Sequence, residues 1–173
     1  MPQKRAMTIL SLKIASLLII DVRRTDYEGG VIRGSLNIPA QGFWWNRGTP
    51  SRDFLCSSNR SHLEKNLLMF YISTGMLYEL CYKAGIEWVV FTCNSCSLNG
   101  RGPRCAAWFL EHVRNVAEDN DMQVMALEGG IKGWVKAGPE YTQLMDGYNE
   151  DYWQDTLAKD DRGKAQAANT DTQ

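Results

Sequence analysis

Two short, uninterrupted apolar runs constrain this chain more than any other feature. Leu17-Leu18-Ile19-Ile20 leads into Asp21-Val22-Arg23, and Trp88-Val89-Val90-Phe91 leads into Thr92-Cys93. Neither run alternates apolar with polar residues. Each therefore reads as a strand covered on both faces rather than one with a wet side. Stretches of helical period stand between the strand-like runs. Leu77, Leu80, Cys81 and Ala84 recur at helical spacing, with Gly85 as the stop. Pro103 suits the start of another helix, which carries Ala106, Phe109, Leu110 and Val113 on one face and runs to about Ala117. Residues 35–38, closed by Pro39, and residues 123–127 predict further strands. Gly129-Gly130 opens a short helix that Gly138-Pro139 closes. Tyr141, Leu144, Met145 and Tyr148 predict a last amphipathic helix, with Trp153 packing nearby. Strands alternating with helices predict an α/β fold of three layers, a mostly parallel sheet with helices on both faces.

The 173 residues, 44% of them hydrophobic, suffice for one core and suit one domain. We expect an N-terminal extension at 1–14, a domain at 15–157 and a disordered tail at 158–173, where apolar anchors are lacking. Within the domain, residues 41–75 predict a long irregular excursion. A formal net charge of −1 gives no global field for nucleic acid or an anionic membrane, so any anion site is local. Lys13 interrupts the apolar stretch after Lys4 and Arg5, and no small-residue cleavage site follows. The expectation is a soluble chain, cytoplasmic or nuclear. Five cysteines fit a reducing compartment with free thiols better than a disulfide framework. Two histidines, His62 and His112, are too few and too scattered for zinc, and Cys93-x-x-Cys96 has no second ligand pair, so neither metal nor cofactor is expected.

The densest chemistry lies at 91–104, Phe91-Thr92-Cys93-Asn94-Ser95-Cys96-Ser97-Leu98-Asn99-Gly100-Arg101-Gly102-Pro103-Arg104. A cysteine ends a buried strand, a polar loop follows, and then come an arginine and a helix start. The loop amides of Asn94, Ser95, Ser97, Asn99, Gly100 and Gly102 can converge on an anion, and a helix N-terminus adds partial positive charge. The same field stabilises a thiolate at Cys93. Arg101 can hold two oxygens of a tetrahedral anion, which places a nucleophile beside an electrophile. Cys105 and Cys81 fall on apolar helical faces and read as core, and Cys56 receives no role.

Asp21-Val22-Arg23, then Tyr27-Glu28-Gly29-Gly30-x-Ile32-x-Gly34-Ser35-x-Asn37-Ile38-Pro39, resembles the front half of a rhodanese domain. Its Glu-Gly-Gly variant is similar to that of cell-division-cycle phosphatases and the arsenate reductases related to them. Arg101-Gly102-Pro103-Arg104 resembles the end of the active-site loop in that branch. Leu127-Glu128-Gly129-Gly130-Ile131-x-Gly133-Trp134 resembles the rhodanese signature after the last core strand. The three motifs stand in family order across about residues 15–138, and small fungal rhodanese-domain proteins look most alike. The resemblance implies Cys93 as nucleophile, Arg101 as oxyanion ligand, Asp21 as a brace for the loop and a structural Arg33.

Two departures bear on the reaction. Thr92 stands where the phosphatases carry a histidine. Seven residues, not five, separate Cys93 from Arg101, whereas four separate Cys96 from Arg101, nearer the shorter loop of sulfurtransferases. Two extra residues could splay the loop amides. The loop also carries no Asp or Glu between Cys93 and Arg104, although phosphate-ester cleavage wants a general acid, a task left to Glu28 or Glu128. Arsenate reduction instead wants a thiol relay, for which Cys96 or Cys105 is close in sequence. Three functions follow. The first is phosphatase- or arsenate-reductase-like catalysis at Cys93, with Cys96 as alternative nucleophile or resolving thiol. The second is sulfur transfer through a persulfide on Cys93 or Cys96. The third is an inactive binding module. The expected partners are a phosphate-, arsenate- or sulfur-oxyanion-bearing substrate, a phosphoprotein or a thiol reductant, with no nucleic acid and no membrane.

Overall fold

The apolar run at Leu17–Asp21 forms β1, and the run at Trp88–Thr92 forms β4. The two lie side by side in parallel, with Asp21 level with Thr92 at their C-terminal ends. The computed structural model describes residues 16–41 and 74–170. The extension at 1–14 and residues 42–73 of the predicted excursion lie outside the described residues.

Between β1 and β4 in sequence come β2 (Val31–Ile32), β3 (Leu36–Asn37) and α1 (Thr74–Lys83). After β4 follow α2 (Arg101–Asn115), β5 (Gln123–Ala126), α3 (Gly130–Lys136), α4 (Pro139–Thr142), β6 (Met145–Asp146) and α5 (Glu150–Thr170). The main sheet has the order β3-β1-β4-β5, every pairing parallel. Its two central strands are thus the two apolar runs, which is why neither needs a polar face.

Side chains along the central strands alternate between two cores. Ile20, Val89 and Phe91 face α1 and α2, where Leu77, Cys81, Cys105, Phe109 and Val113 are buried. Ile19 and Val90 face Ile131, Trp134, Tyr141, Met145 and Trp153, which belong to α3, α4, β6 and α5. The chain is therefore the three-layer α/β fold that the alternation of elements predicts. No helix among the described residues is long and apolar enough to cross a membrane.

Several local expectations are corrected. Helix α1 buries Thr74, Leu77 and Cys81 and leaves Leu80 57% exposed, and Ala84, just past its end, is exposed too. The buried stripe is narrower than the apolar one, because one row of side chains at i, i+3 and i+7 suffices to cover the sheet here. No single helix spans 141–148. Gly147 has a positive φ (65°), and Met145–Asp146 instead pairs antiparallel with β2. Periodicity could not see this small second sheet, because strands of two residues carry no pattern.

The tail predicted as disordered from 158 is helical through Thr170. Ion pairs supply what apolar anchors do not. Lys132 reaches Asp160 at 2.5 Å and Lys136 reaches Asp161 at 3.2 Å, which ties α5 to α3. Lys159 pairs with Asp155 one turn back. At its start α5 drops Trp153 into the second core, and the indole donates to the Gly29 carbonyl at 2.6 Å.

Candidate active site

Cys93 emerges from the C-terminal end of β4, beside the end of β1, at the sheet edge where open α/β folds place their ligands. Its backbone is held from the α3 side. The amides of Ile131 and Lys132 donate to the carbonyls of Cys93 and Asn94, both at 2.9 Å. Gly130 adopts a φ of +59°, and a Cβ there would run into the Cys93 carbonyl oxygen. This close approach requires the second glycine of Gly129-Gly130.

The loop then curls around the Cys93 sulfur. Main-chain amides of Gly102, Cys96 and Ser95 point at it, and the Cys96 amide lies 3.2 Å away. Gly102 is the second residue of α2, so the partial positive charge of that helix end acts on the same sulfur. Of the six loop amides expected to converge, those of Ser95 and Gly102 face the sulfur, whereas that of Gly100 turns away to the Ser97 carbonyl. The added length goes into a turn closed by the Gly100 amide on the Ser97 carbonyl at 2.7 Å, with Leu98 95% exposed at its tip. Ser97 and Asn99 sit exposed in this turn, and Gly100 caps α2. Asn94 keeps its side-chain oxygen buried without a hydrogen-bond partner.

Cys96 turns inward. Its backbone has a φ of +40°, uncommon for a residue with a side chain. That conformation carries its sulfur to 3.1 Å from the Cys93 sulfur and 3.0 Å from the Cys93 amide. Gly102 makes the room, since a Cβ there would lie 2.5 Å from the Cys96 sulfur. The two sulfurs share a hydrogen bond, which favours the anion on Cys93. Hydrogen bonding from Cys96, followed by the loop amides, overcomes burial and lowers the Cys93 thiol to about 6. The same hydrogen bond, with burial, pushes Cys96 above the ordinary thiol range. Cys105 and Cys81 are buried thiols pushed up by desolvation to about 12 and about 11. That suits their expected place in the core.

Arg101 opens α2, and the structure pairs it with Asp26. Both terminal nitrogens of the guanidinium donate to the two carboxylate oxygens of Asp26. The Arg101 guanidinium holds that carboxyl well below the usual carboxylate range. Asp26 had no role in the sequence-based expectation. Asp21, the expected brace, acts at one remove. Its carboxylate is fully buried against Arg23, whose Nε donates to it at 2.8 Å. The Arg23 guanidinium also donates to the carbonyls of Glu28 at 2.9 Å and Gly30 at 2.8 Å, and it lies 4.9 Å from the Tyr27 ring. Asp21 and Arg23 thus set the 24–30 turn, and the turn carries Asp26 to Arg101. The signal that could have found Asp26 is its position just past β1, since loops leaving adjacent parallel strands face one another. Arg33 pairs with Asp146 across the small sheet. Thr92, in the place of the phosphatase histidine, is fully buried, and its hydroxyl donates to the Cys93 carbonyl at 3.4 Å. Among the described residues no three His, Cys, Asp or Glu side chains are grouped to hold a metal.

No family model matches the chain. Two structures of the Saccharomyces cerevisiae protein Ygr203w match it across 88% of its length, with TM-scores of 0.59 and 0.58 at 19% and 20% identity. The matches cover 90% and 94% of those chains. One is described as a homologue of single-domain rhodanese and of the Cdc25 phosphatase catalytic domain, the other as a protein tyrosine phosphatase of the rhodanese family. The fold is rhodanese-like. The As-Sb reductase of Leishmania major shares this rhodanese-like architecture at a TM-score of 0.51 and 17% identity, over 75% of this chain and 71% of that one. In sequence, 63 residues are 35% identical to a rice (Oryza sativa subsp. japonica) protein named arsenate reductase 2.2. That stretch is 36% of this chain and 47% of the rice protein, so the match spans about half of the relative.

Proposed function

We propose that the Cys93 loop performs thiolate chemistry of the arsenate-reductase kind. One observation carries the proposal: an amide-ringed Cys93 sulfur has a second thiol 3.1 Å away. The names of the rice and Leishmania relatives agree with it. The Cys93 thiolate attacks the arsenic of bound arsenate, a sulfur–arsenic bond forms, and hydroxide leaves as water after taking a proton. Loop amides and Arg101 hold the remaining oxygens. A second thiol then attacks the Cys93 sulfur. The sulfur–arsenic bond breaks with its electron pair staying on arsenic, which departs as arsenite. Two thiols supply the two electrons.

A phosphatase reading has less support. Asp26, the carboxylate placed against the loop arginine, is held as the anion and has no proton to give a leaving group.

The test is arsenite formation from arsenate with dithiothreitol as final reductant. Wild-type protein is expected to turn over, Cys93→Ser to be inactive, and Arg101→Ala to fall by roughly 10²–10³-fold, the usual cost of one oxyanion-stabilising donor. No arsenite above the Cys93→Ser background overturns the proposal. Thiocyanate release from thiosulfate and cyanide, with a persulfide on Cys93, would replace it with sulfur transfer.

A further inference from the structure

We infer that Cys96 is the resolving thiol of this site: it attacks the Cys93 sulfur once that sulfur carries a leaving group, and a Cys93–Cys96 disulfide closes inside the loop. The arsenate form of this step rests on the proposed arsenate chemistry, whereas the hydroperoxide form does not.

Four features of the geometry converge on this step. The two sulfurs are already 3.1 Å apart, so no element of the fold has to move to bring them together. Cys96 adopts a left-handed φ that directs its side chain into the loop, although three exposed residues, Ser97, Leu98 and Asn99, follow it directly. A conformation disfavoured for a side chain persists where its surroundings demand it. Gly102 supplies the space, because a Cβ at that position would lie 2.5 Å from the Cys96 sulfur. The Cys93 amide donates to the Cys96 sulfur at 3.0 Å and so favours the thiolate that the attack requires. The leading opposing influence is the hydrogen bond to the Cys93 thiolate, and it disappears when Cys93 becomes bonded to arsenic or oxygen. The nucleophile is thus released at the stage where it is needed. Cys81 and Cys105 lie in the buried core on α1 and α2, where burial pushes both thiols up.

With arsenate, Cys96 displaces arsenic(III) from the Cys93 sulfur, and the disulfide holds both oxidised sulfurs. With a hydroperoxide, the Cys93 thiolate attacks the peroxide oxygen, the oxygen–oxygen bond breaks and the alcohol or water leaves. The resulting sulfenic acid loses its oxygen as water when Cys96 attacks. In both cases an external thiol or dithiol returns the pair to its reduced form.

The experiment uses full-length, fully reduced protein freed of small thiols. It is treated with arsenate without oxygen, or separately with hydrogen peroxide, then alkylated and mapped by mass spectrometry. Wild type is expected to lose two alkylatable thiols per chain, both in the peptide containing Cys93 and Cys96, and to release one arsenite per chain. Cys96→Ser, with Cys96→Ala as a second variant, is expected to release at least tenfold less arsenite without added thiol. After peroxide these variants are expected to carry a dimedone-reactive Cys93. Added glutathione should then raise their arsenite yield. Cys105→Ser should still close the disulfide. If peroxide closes the Cys93–Cys96 bond while arsenate is untouched, the resolving role stands and the arsenate reading falls. If the Cys96 variants match wild-type arsenite release without added thiol, the arsenate reading stands and the resolving role falls. A peroxide-treated wild type with sulfinic acid at Cys93 and a free Cys96 thiol also overturns it.

Discussion

Asp26 grips both terminal nitrogens of Arg101, so the arginine that a bound oxyanion would use is already engaged by a carboxylate. The pair is partly solvent-exposed, with side-chain exposures of 35% and 28%, so the attraction is screened. An arriving anion competes with Asp26 for the guanidinium. Asp26→Asn is therefore expected to tighten phosphate or arsenate binding by about fivefold, the equivalent of about 1 kcal/mol for an exposed ion pair. The readout is the anion concentration that protects Cys93 from iodoacetamide. Weaker protection in Asp26→Asn would instead mean that the carboxylate orients Arg101 rather than competing for it.

Alkylation of Cys93 against pH should show a midpoint near 6, set first by the Cys96 hydrogen bond and then by the loop amides. The thiolate is present above that pH and is lost as pH falls through it. The folded value lies below the unfolded one of 9.0, so the shift stabilises the fold fully above pH 9 and the contribution fades as pH falls towards 6. Removing the largest cause with Cys96→Ala should move the midpoint upward while Gly102 and Ser95 still donate. A midpoint unchanged in Cys96→Ala would assign the shift to the amides alone.

Arg23 is a fully buried charge whose partners are Asp21 and the carbonyls of the 24–30 turn. Arg23→Met leaves Asp21 buried and unpaired, an arrangement that typically costs about 3–5 kcal/mol. Urea unfolding should show that loss. Where the variant remains folded, Asp26 should no longer hold Arg101, and anion protection of Cys93 should change together with stability. A loss under 1 kcal/mol would show that water or a rearranged turn satisfies Asp21.

Much of this architecture was legible locally. The runs at 17–20 and 88–91 announced central strands, because burial on both faces leaves a continuous apolar signature. Gly102 and Gly129-Gly130 stood beside expected helix starts, and the structure brings both against the Cys93 segment. Cys93 was placed at the mouth of the site by its position after a buried strand.

What the tertiary structure decided is pairing across distance. Asp26 lies 75 residues from Arg101 and is one of 20 acidic residues, and only the adjacency of β1 and β4 selects it. Asp21 finds Arg23 rather than the loop because both are shut inside the same turn. Helix α5 persists past 158 through ion pairs to α3, and ion pairs leave no trace in hydropathy. The inward turn of Cys96 depends on a backbone angle and on the missing Cβ of Gly102. Periodicity records which faces are buried. It carries no information on which distant groups meet, because that follows from strand order and loop curvature acting over the whole chain.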